Sequence, residues 1–256
     1  MEKNKMNRRD FLQRSTILGV GGIVGVSALA SACKGPKYVP LRKPEEYYIP
    51  ELPDKAAPGR EIKVGVIGCG GRGSGAIQNL FDAADGIRLT ALGDVFPDRL
   101  EGLRKMAAEK LGQEVPDENC FIGFDAYQKV IDSGVDMIID TTPPVFRPDH
   151  FKYAVQKGVH SFLEKPVAVD AKGYRTVMAA AKQAQAKGLC VVCGTQRHHQ
   201  RPYVEAFRKI QEGYIGEITG GNVYWNQGML WYRNREKGWS DMEWMIRDWV
   251  NWKWLS

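Results

Sequence analysis

Histidine and cysteine are scarce in this 256-residue chain, with four of the first and five of the second. No histidine follows His199, and Cys33, Cys69, Cys120, Cys190 and Cys193 include a single close pair, Cys190-Val-Val-Cys193. No second pair or histidine completes a metal set around it. The pair lies in the apolar run Leu189–Gly194, which reads as a buried strand. Residues three apart on a strand point to opposite faces, so the two sulfurs diverge. They are expected to be small core residues, with neither a metal nor a disulfide. An excess of positive charge is missing from the body of the chain. Residues 1–43 hold nine Lys/Arg against two Asp/Glu, a local +7 within a whole-chain +6, so everything from Pro44 onward carries −1. A nucleic-acid-binding face is thereby excluded. Tryptophan is absent before Trp225, although seven follow from there.

What is present begins with a leader. Asn7-Arg8-Arg9-Asp10-Phe11-Leu12 is a twin-arginine signature, and Ile17–Ala30 is an uncharged, Gly/Ala-rich stretch too short for a convincing membrane span. Ser31-Ala32-Cys33 resembles the end of a lipoprotein signal with Cys33 as the lipidated residue; an ordinary cleavage site is the alternative. Export by the twin-arginine machinery to the periplasm, free or membrane-anchored through Cys33, is the expectation. That route carries folded proteins, so export and a nucleotide fold are compatible.

Residues 34–60, rich in Pro, Lys and Glu, read as a linker. From Glu61 strand and helix patterns alternate. The expected strands are Ile62–Ile67, Ile87–Leu92, Cys120–Ile122, Val135–Asp140, Val159–Leu163 and Leu189–Cys193. Helical stretches lie near Gly75–Ala84, Pro97–Leu111, Ala126–Asp132, His150–Gln156 and Ala171–Ala186, with closing glycines at Gly112, Gly134, Gly158 and Gly188. The pattern predicts an α/β fold, a doubly wound parallel Rossmann sheet over residues 61–196. After Gln200 a helix Tyr203–Gln211 and a strand Glu217–Trp225 are expected. Residues 197–256 then read as the incomplete beginning of an α+β domain with an open, mainly antiparallel sheet.

The chemistry centres on Gly68-Cys69-Gly70-Gly71-Arg72-Gly73, which follows a buried strand and opens a helix. Gly68 suits the tight turn, Gly70 lets backbone approach a diphosphate, and Gly73 lets the helix pack close. The amides of Gly71, Arg72 and Gly73 would face the phosphates. Asp94 ends the next strand; its carboxylate suits the ribose hydroxyls of NAD and would repel the 2′-phosphate of NADP, so NAD is preferred. A helix N-cap for the segment from Pro97 is its alternative role. Two more strand ends point to the same edge of the sheet, Thr141-Thr142-Pro143 and Glu164-Lys165-Pro166. Lys165 would sit where nicotinamide and substrate meet.

Taken together, the glycine turn, Asp94, the Thr-Pro-Pro run with His150 downstream, and Glu164-Lys165-Pro166 resemble the Gfo/Idh/MocA oxidoreductases over about residues 60–256. The resemblance implies that Lys165 touches substrate and nicotinamide, that Pro166 follows a cis peptide bond, and that the full-length protein is a homo-oligomer. It also makes Gly194-Thr195-Gln196-Arg197-His198-His199 the loop into a second domain, with Arg197, His198 and His199 as substrate-pocket candidates. Family members carry an Asp and a general acid/base His further along. Asp241 and Asp248 have no His after them, so the chain is expected to bind cofactor without a complete catalytic set.

The leading expectation is an NAD-dependent oxidoreductase that transfers hydride between a sugar or polyol and the nicotinamide, with Lys165 polarising the reacting oxygen. Outside the cytoplasm free NAD cannot be counted on, so the cofactor should be tightly held. An NAD-dependent glycosidase that oxidises its sugar transiently is the alternative, and a truncated nucleotide-binding module without turnover is the third. The tryptophans are expected mostly in packing, with one or two against a sugar ring.

Overall fold

A computed structural model describes residues 38–49 and 59–256; the twin-arginine signature and Cys33 lie outside the described residues. Two compact units divide them: residues 38–49 with 205–221, and residues 59–204 with 222–256.

The larger unit is built on six parallel strands, β1 (Ile62–Ile67), β2 (Ile87–Asp94), β3 (Cys120–Ile122), β4 (Met137–Asp140), β5 (His160–Leu163) and β6 (Val191–Cys193), in the order β3-β2-β1-β4-β5-β6. The connecting helices are α1 (Gly71–Ala83), α2 (Pro97–Leu111), α3 (Ala126–Asp132), α4 (Arg147–Lys157) and α5 (Ala171–Ala186). Side-chain alternation assigns the faces. Val64 and Val66 of β1 pack with Ile77 of α1 and Leu100 and Leu103 of α2, whereas Ile67 packs on the other face with Val130 of α3 and Ala154 of α4. Leu89 and Leu92 of β2 share the first face although three residues apart. A register shift between Val64 and Gly65, paired with Leu89 and Ala91, skips Thr90 and restores the phase. Under β5, Leu163 meets Phe151, Val155 and Val177 in a third cluster.

Capping chemistry sets most helix limits. Pro97 opens α2 and left-handed Gly112 closes it; the Asp170 side chain caps α5 by accepting from Gly173 N at 2.6 Å. Helix α4 starts at Arg147, ahead of the expected His150, because Pro148 is tolerated in a first turn.

Two local expectations are corrected. The last strand is exposed along its length, and Cys190 and Cys193 are exposed free thiols instead of core residues. Among the described residues, strand β6 is the sheet edge, with only β5 beside it. Residues 217–225 form no strand. An extended segment with no partner edge leaves its N–H and C=O groups to water, and Val223, Tyr224 and Trp225 stand exposed. Helix α7 (Asp241–Arg247) follows and packs Ile246 with Phe96 and Leu255.

In the smaller unit Leu41 N donates to Gln211 O at 2.9 Å, at the end of helix α6 (Arg201–Gln211), and Tyr38 stacks on Tyr214 with centroids 4.1 Å apart. Thus residues 38–49 are held by specific contacts, with a 3₁₀ turn at Pro44–Glu46.

Gly65 is required by packing, since a Cβ there would overlap Val130 and come within 3.2 Å of Val135. Gly65→Ala is expected to destabilise the chain by about 1–3 kcal/mol in urea unfolding. Adding Val130→Ala should recover part of that loss. Strictly additive losses would show that the two sites do not compete for one space.

Candidate functional site

The loops after β1 and β4 diverge from adjacent strands, leaving a crevice beyond their carboxyl ends. Gly68 turns the chain with φ +88°, and a Cβ there would lie 2.9 Å from Thr142 N. Gly73 sits against the Gly68 carbonyl so closely that no side chain fits, and Thr141 Oγ1 donates to the same carbonyl at 2.6 Å. This contact lets α1 begin within the glycine run itself, with Ser74 N donating to Gly70 O at 3.0 Å as its first helical bond. The preceding N–H groups of the first turn have no helical acceptor, which makes an anion site. Gly70 differs from Gly68 and Gly73. Its Cβ direction is open, with Arg99 Nη1 the nearest atom at 3.8 Å. A side chain there would enter the crevice and leave the fold alone.

Asp94 is buried at the end of β2. Its Oδ2 accepts from Cys69 N at 2.6 Å and its Oδ1 from Phe96 N at 2.9 Å, so one carboxylate ties the glycine turn to the start of α2. Burial pushes its carboxyl above the ordinary value, against those two amides and the Arg99 charge. Phe96, and not Asp94, occupies the N-cap of α2. Each carboxylate oxygen has two lone pairs, so one acceptor site per oxygen remains for a ribose hydroxyl.

At the end of β4, Asp140 is fully buried. Its Oδ1 accepts from Thr142 N at 3.0 Å and Thr142 Oγ1 at 2.6 Å; its Oδ2 meets His150 Nδ1 at 3.1 Å. Burial alone would raise this carboxyl, but His150, Thr142 and the Arg147 charge together hold it below the usual range. His150 therefore donates from Nδ1, and Tyr127 stacks on its ring at 4.2 Å. Buried Arg147 donates to the carbonyls of Thr142 and Pro166. It fastens the loops after β4 and β5 to one side chain.

Glu164, buried after β5, accepts from Arg72 Nε at 2.6 Å and from Lys165 N at 3.0 Å, and the Lys165–Pro166 bond is cis as expected. Arg72 thus connects the glycine turn to Glu164-Lys165-Pro166. The Lys165 side chain is exposed.

A cavity of about 650 Å³ fills the crevice. It is lined by Gly68, Gly70, Gly71, Arg72, Gly73, Asp94, Thr141, Thr142 and Pro143, so these sequence-derived candidates come together, as does His150. Glu164 joins through Arg72. Lys165, Arg197 and His198 are not in the lining. Arg197, at φ +77°, lies over the rings of Tyr203 and Trp225 at 5.3 and 5.2 Å, and His198 is exposed. Arg99, close enough to Asp94 in sequence to bear on the choice between NAD and NADP, is in the wall. Sequence reasoning missed Tyr127 and Phe124 there. Of the tail it expected only one or two unspecified tryptophans at a ligand, whereas Trp231, Arg233, Ile246, Arg247 and Trp249 all line the cavity. The absence of tryptophan before Trp225 was the available signal of a distinct role for that segment.

Strand order, glycine turn, orphaned helix amides and a carboxylate at the end of the second strand define a dinucleotide-binding Rossmann domain. Residues 62–193 match the Gfo/Idh/MocA profile, described as an oxidoreductase family with an NAD-binding Rossmann fold. The chain belongs to this family. It is 25% identical over 259 residues to a glycosyl hydrolase family 109 protein of Solibacter usitatus, covering 96% of this chain and 52% of the relative. It is 28% identical to a scyllo-inositol 2-dehydrogenase (NAD(+)) of Bacillus subtilis, covering 61% of this chain and 42% of that one. Among solved structures, a scyllo-inositol dehydrogenase from Lactobacillus casei with bound NAD(H) and scyllo-inositol aligns with TM-score 0.52 and 25% identity, over 62% of this chain and 44% of that one. The chain spans about half the length of these relatives.

The glycines give separable outcomes. Gly70→Val is expected to keep the thermal midpoint near that of the parent while weakening NAD binding by about a hundredfold, ~2.7 kcal/mol. Gly73→Ala should lower both, since its Cβ meets backbone. Calorimetric titration with NAD, paired with thermal unfolding, checks this; unchanged affinity in Gly70→Val would remove the phosphate cradle from the account.

Proposed function

We propose that this chain is an NAD-dependent oxidoreductase that acts on a sugar or polyol by hydride transfer. One observation carries the reading: a cavity lined by the orphaned amides of the glycine turn and by the Asp94 carboxylate, into which the Cβ directions of Gly70 and Gly71 stand open. Its volume falls within the range of small-molecule and cofactor sites. The residues fit the cofactor: the amides of Gly71, Arg72 and Gly73 would hold the diphosphate, Asp94 the adenosine ribose, and Thr141, Thr142 and Pro143 the wall beyond. Bound NAD supplies the hydride acceptor. Glu164, locked by Arg72, fixes the backbone of Lys165, whose ammonium polarises the reacting substrate oxygen by donating a hydrogen bond to it. Arg197 and His198 belong to the substrate side in this reading. The inositol dehydrogenases among the relatives support a polyol substrate.

A second reading has its own support. The relative named as a family 109 glycosyl hydrolase aligns over 96% of this chain, well past the Rossmann domain, whereas the inositol dehydrogenase covers 61%. In that reading the same cavity oxidises a sugar transiently during glycoside cleavage. The twin-arginine signature at residues 7–12 supports export to the periplasm, and Ser31-Ala32-Cys33 supports a lipid tether on Cys33. Assembly as a homo-oligomer completes the reading.

Exported protein is expected to keep near-stoichiometric NAD after dialysis, read by mass spectrometry of the released nucleotide; protein free of dinucleotide would refute a tightly held cofactor. Lys165→Ala should cut turnover about a hundredfold or more with NAD affinity nearly unchanged. A panel of chromogenic glycosides without added NAD decides between the two chemistries: leaving-group release favours hydrolysis, and net NADH with polyols favours oxidation.

A further inference from the structure

Four arginines line the cofactor cavity, and they are not equivalent. Arg72 is paired with Glu164 at 2.6 Å. Arg247 is paired twice, bidentate to Asp98 at 3.0 and 2.7 Å and to Glu243 at 2.9 Å, and its guanidinium lies 3.9 Å over the Phe96 ring. The other two are engaged differently. Arg99 makes a 3.4 Å hydrogen bond to a carbonyl, Arg247 O, lies 5.2 Å over the Phe96 ring, and stands beside the open Cβ direction of Gly70. Arg233 has its guanidinium 6.0 Å over the Trp231 ring. Among the described residues neither guanidinium is paired with a carboxylate, so both charges are left for something that enters the cavity. Burial and the neighbouring Arg233 and Arg247 charges work against the Arg99 cation, opposed by Asp94.

The segment that brings Arg233 there is built, not draped. Arg233 N donates to the buried Asp248 carboxylate at 2.8 Å, Arg233 O accepts from Trp244 Nε1 at 2.8 Å, and Trp231 O accepts from Asn251 Nδ2 at 3.1 Å. Residues 231–233 are thereby fixed to α7 and the turn after it. Helix α7 is in turn fixed to the start of α2 by the Arg247–Asp98 pair and by Ile246 against Phe96.

We propose that Trp231–Arg233 and α7 form a clasp that completes the dinucleotide site, fastened by Arg247 on Asp98, with the neighbouring Arg233 and Arg99 gripping a phosphate of the cofactor together. The inference rests on the NAD-binding reading above and adds residues that the Rossmann motif does not contain. Two guanidiniums in one cavity with the glycine turn complement a diphosphate that the helix amides contact. The clasp also gives a physical basis for slow cofactor loss, since release requires the Arg247–Asp98 pair to part.

The test is titration of the full chain with NAD⁺, ADP and adenosine, together with the NAD⁺ release rate followed by tryptophan fluorescence. Arg233→Gln is expected to weaken NAD⁺ and ADP by about tenfold and to leave adenosine within about twofold, because only the phosphate grip is lost. Arg233→Lys, which keeps the charge, should recover a large part of the NAD⁺ affinity. Asp98→Asn should speed NAD⁺ release by about fivefold or more. Arg88→Gln, which removes a pair with Glu61 at the far end of β2, should match the parent in every measurement. If the parent binds NAD⁺ while Arg233→Gln and Asp98→Asn behave like it, or if adenosine weakens in parallel with ADP, the clasp is overturned and the cofactor reading stands. If the parent binds no NAD⁺, the cofactor reading itself fails.

Discussion

Everything at the carboxyl edge of the sheet depends on how closely the first turn of α1 lies against the Gly68 carbonyl. With hydrogen alone at Gly73, the helix begins immediately after the turn and its free amides point into the crevice. A methyl group in that gap would push the helix outward and carry Arg72 with it. Since Arg72 holds Glu164, the effect would reach the loop after β5, far along the chain. A contact between two backbones thus governs the position of residues 92 apart in sequence.

The site is organised by buried charge as much as by glycine. Asp94 joins the glycine turn to α2, and Asp140 joins Thr142 to His150. Each carboxylate is desolvated, and each is compensated by directed N–H or O–H donors. Losing one partner would leave a charge in a medium that solvates it poorly. Such groups are costly to bury, and their value here is orientation: they set ring, hydroxyl and turn in one arrangement before any ligand arrives.

Much of the fold was legible in the chain. Three helices, Pro97–Leu111, Ala126–Asp132 and Ala171–Ala186, have the limits that local punctuation indicates, because proline and glycine act through their own backbone preferences. Strand β1 and the glycine motif were equally readable. Helix α1 starts at Gly71, earlier than the pattern indicates, since glycine is a poor helix former and only tertiary packing makes it start there. The exposure of β6 was hidden because edge position is a property of the whole sheet, not of Leu189–Cys193. The tail's place in the cavity was hidden for a similar reason: Arg247 and Asp98 are 149 residues apart and belong to no periodic pattern. Asp94 lies in the cavity wall, where its strand-end position puts it, but its backbone partners could not be deduced from a strand-end aspartate.

Arg147 bonds two carbonyls from different loops with the two ends of one rigid, planar group. A lysine could offer its charge to either oxygen but could not bridge both in fixed geometry. Thr142 and Pro166 are consequently coupled as the two jaws of a single fitting, and neither loop can shift without dragging the other. Variation that retunes one side of the pocket will therefore be felt on both, so the ends of β4 and β5 are constrained to change in concert.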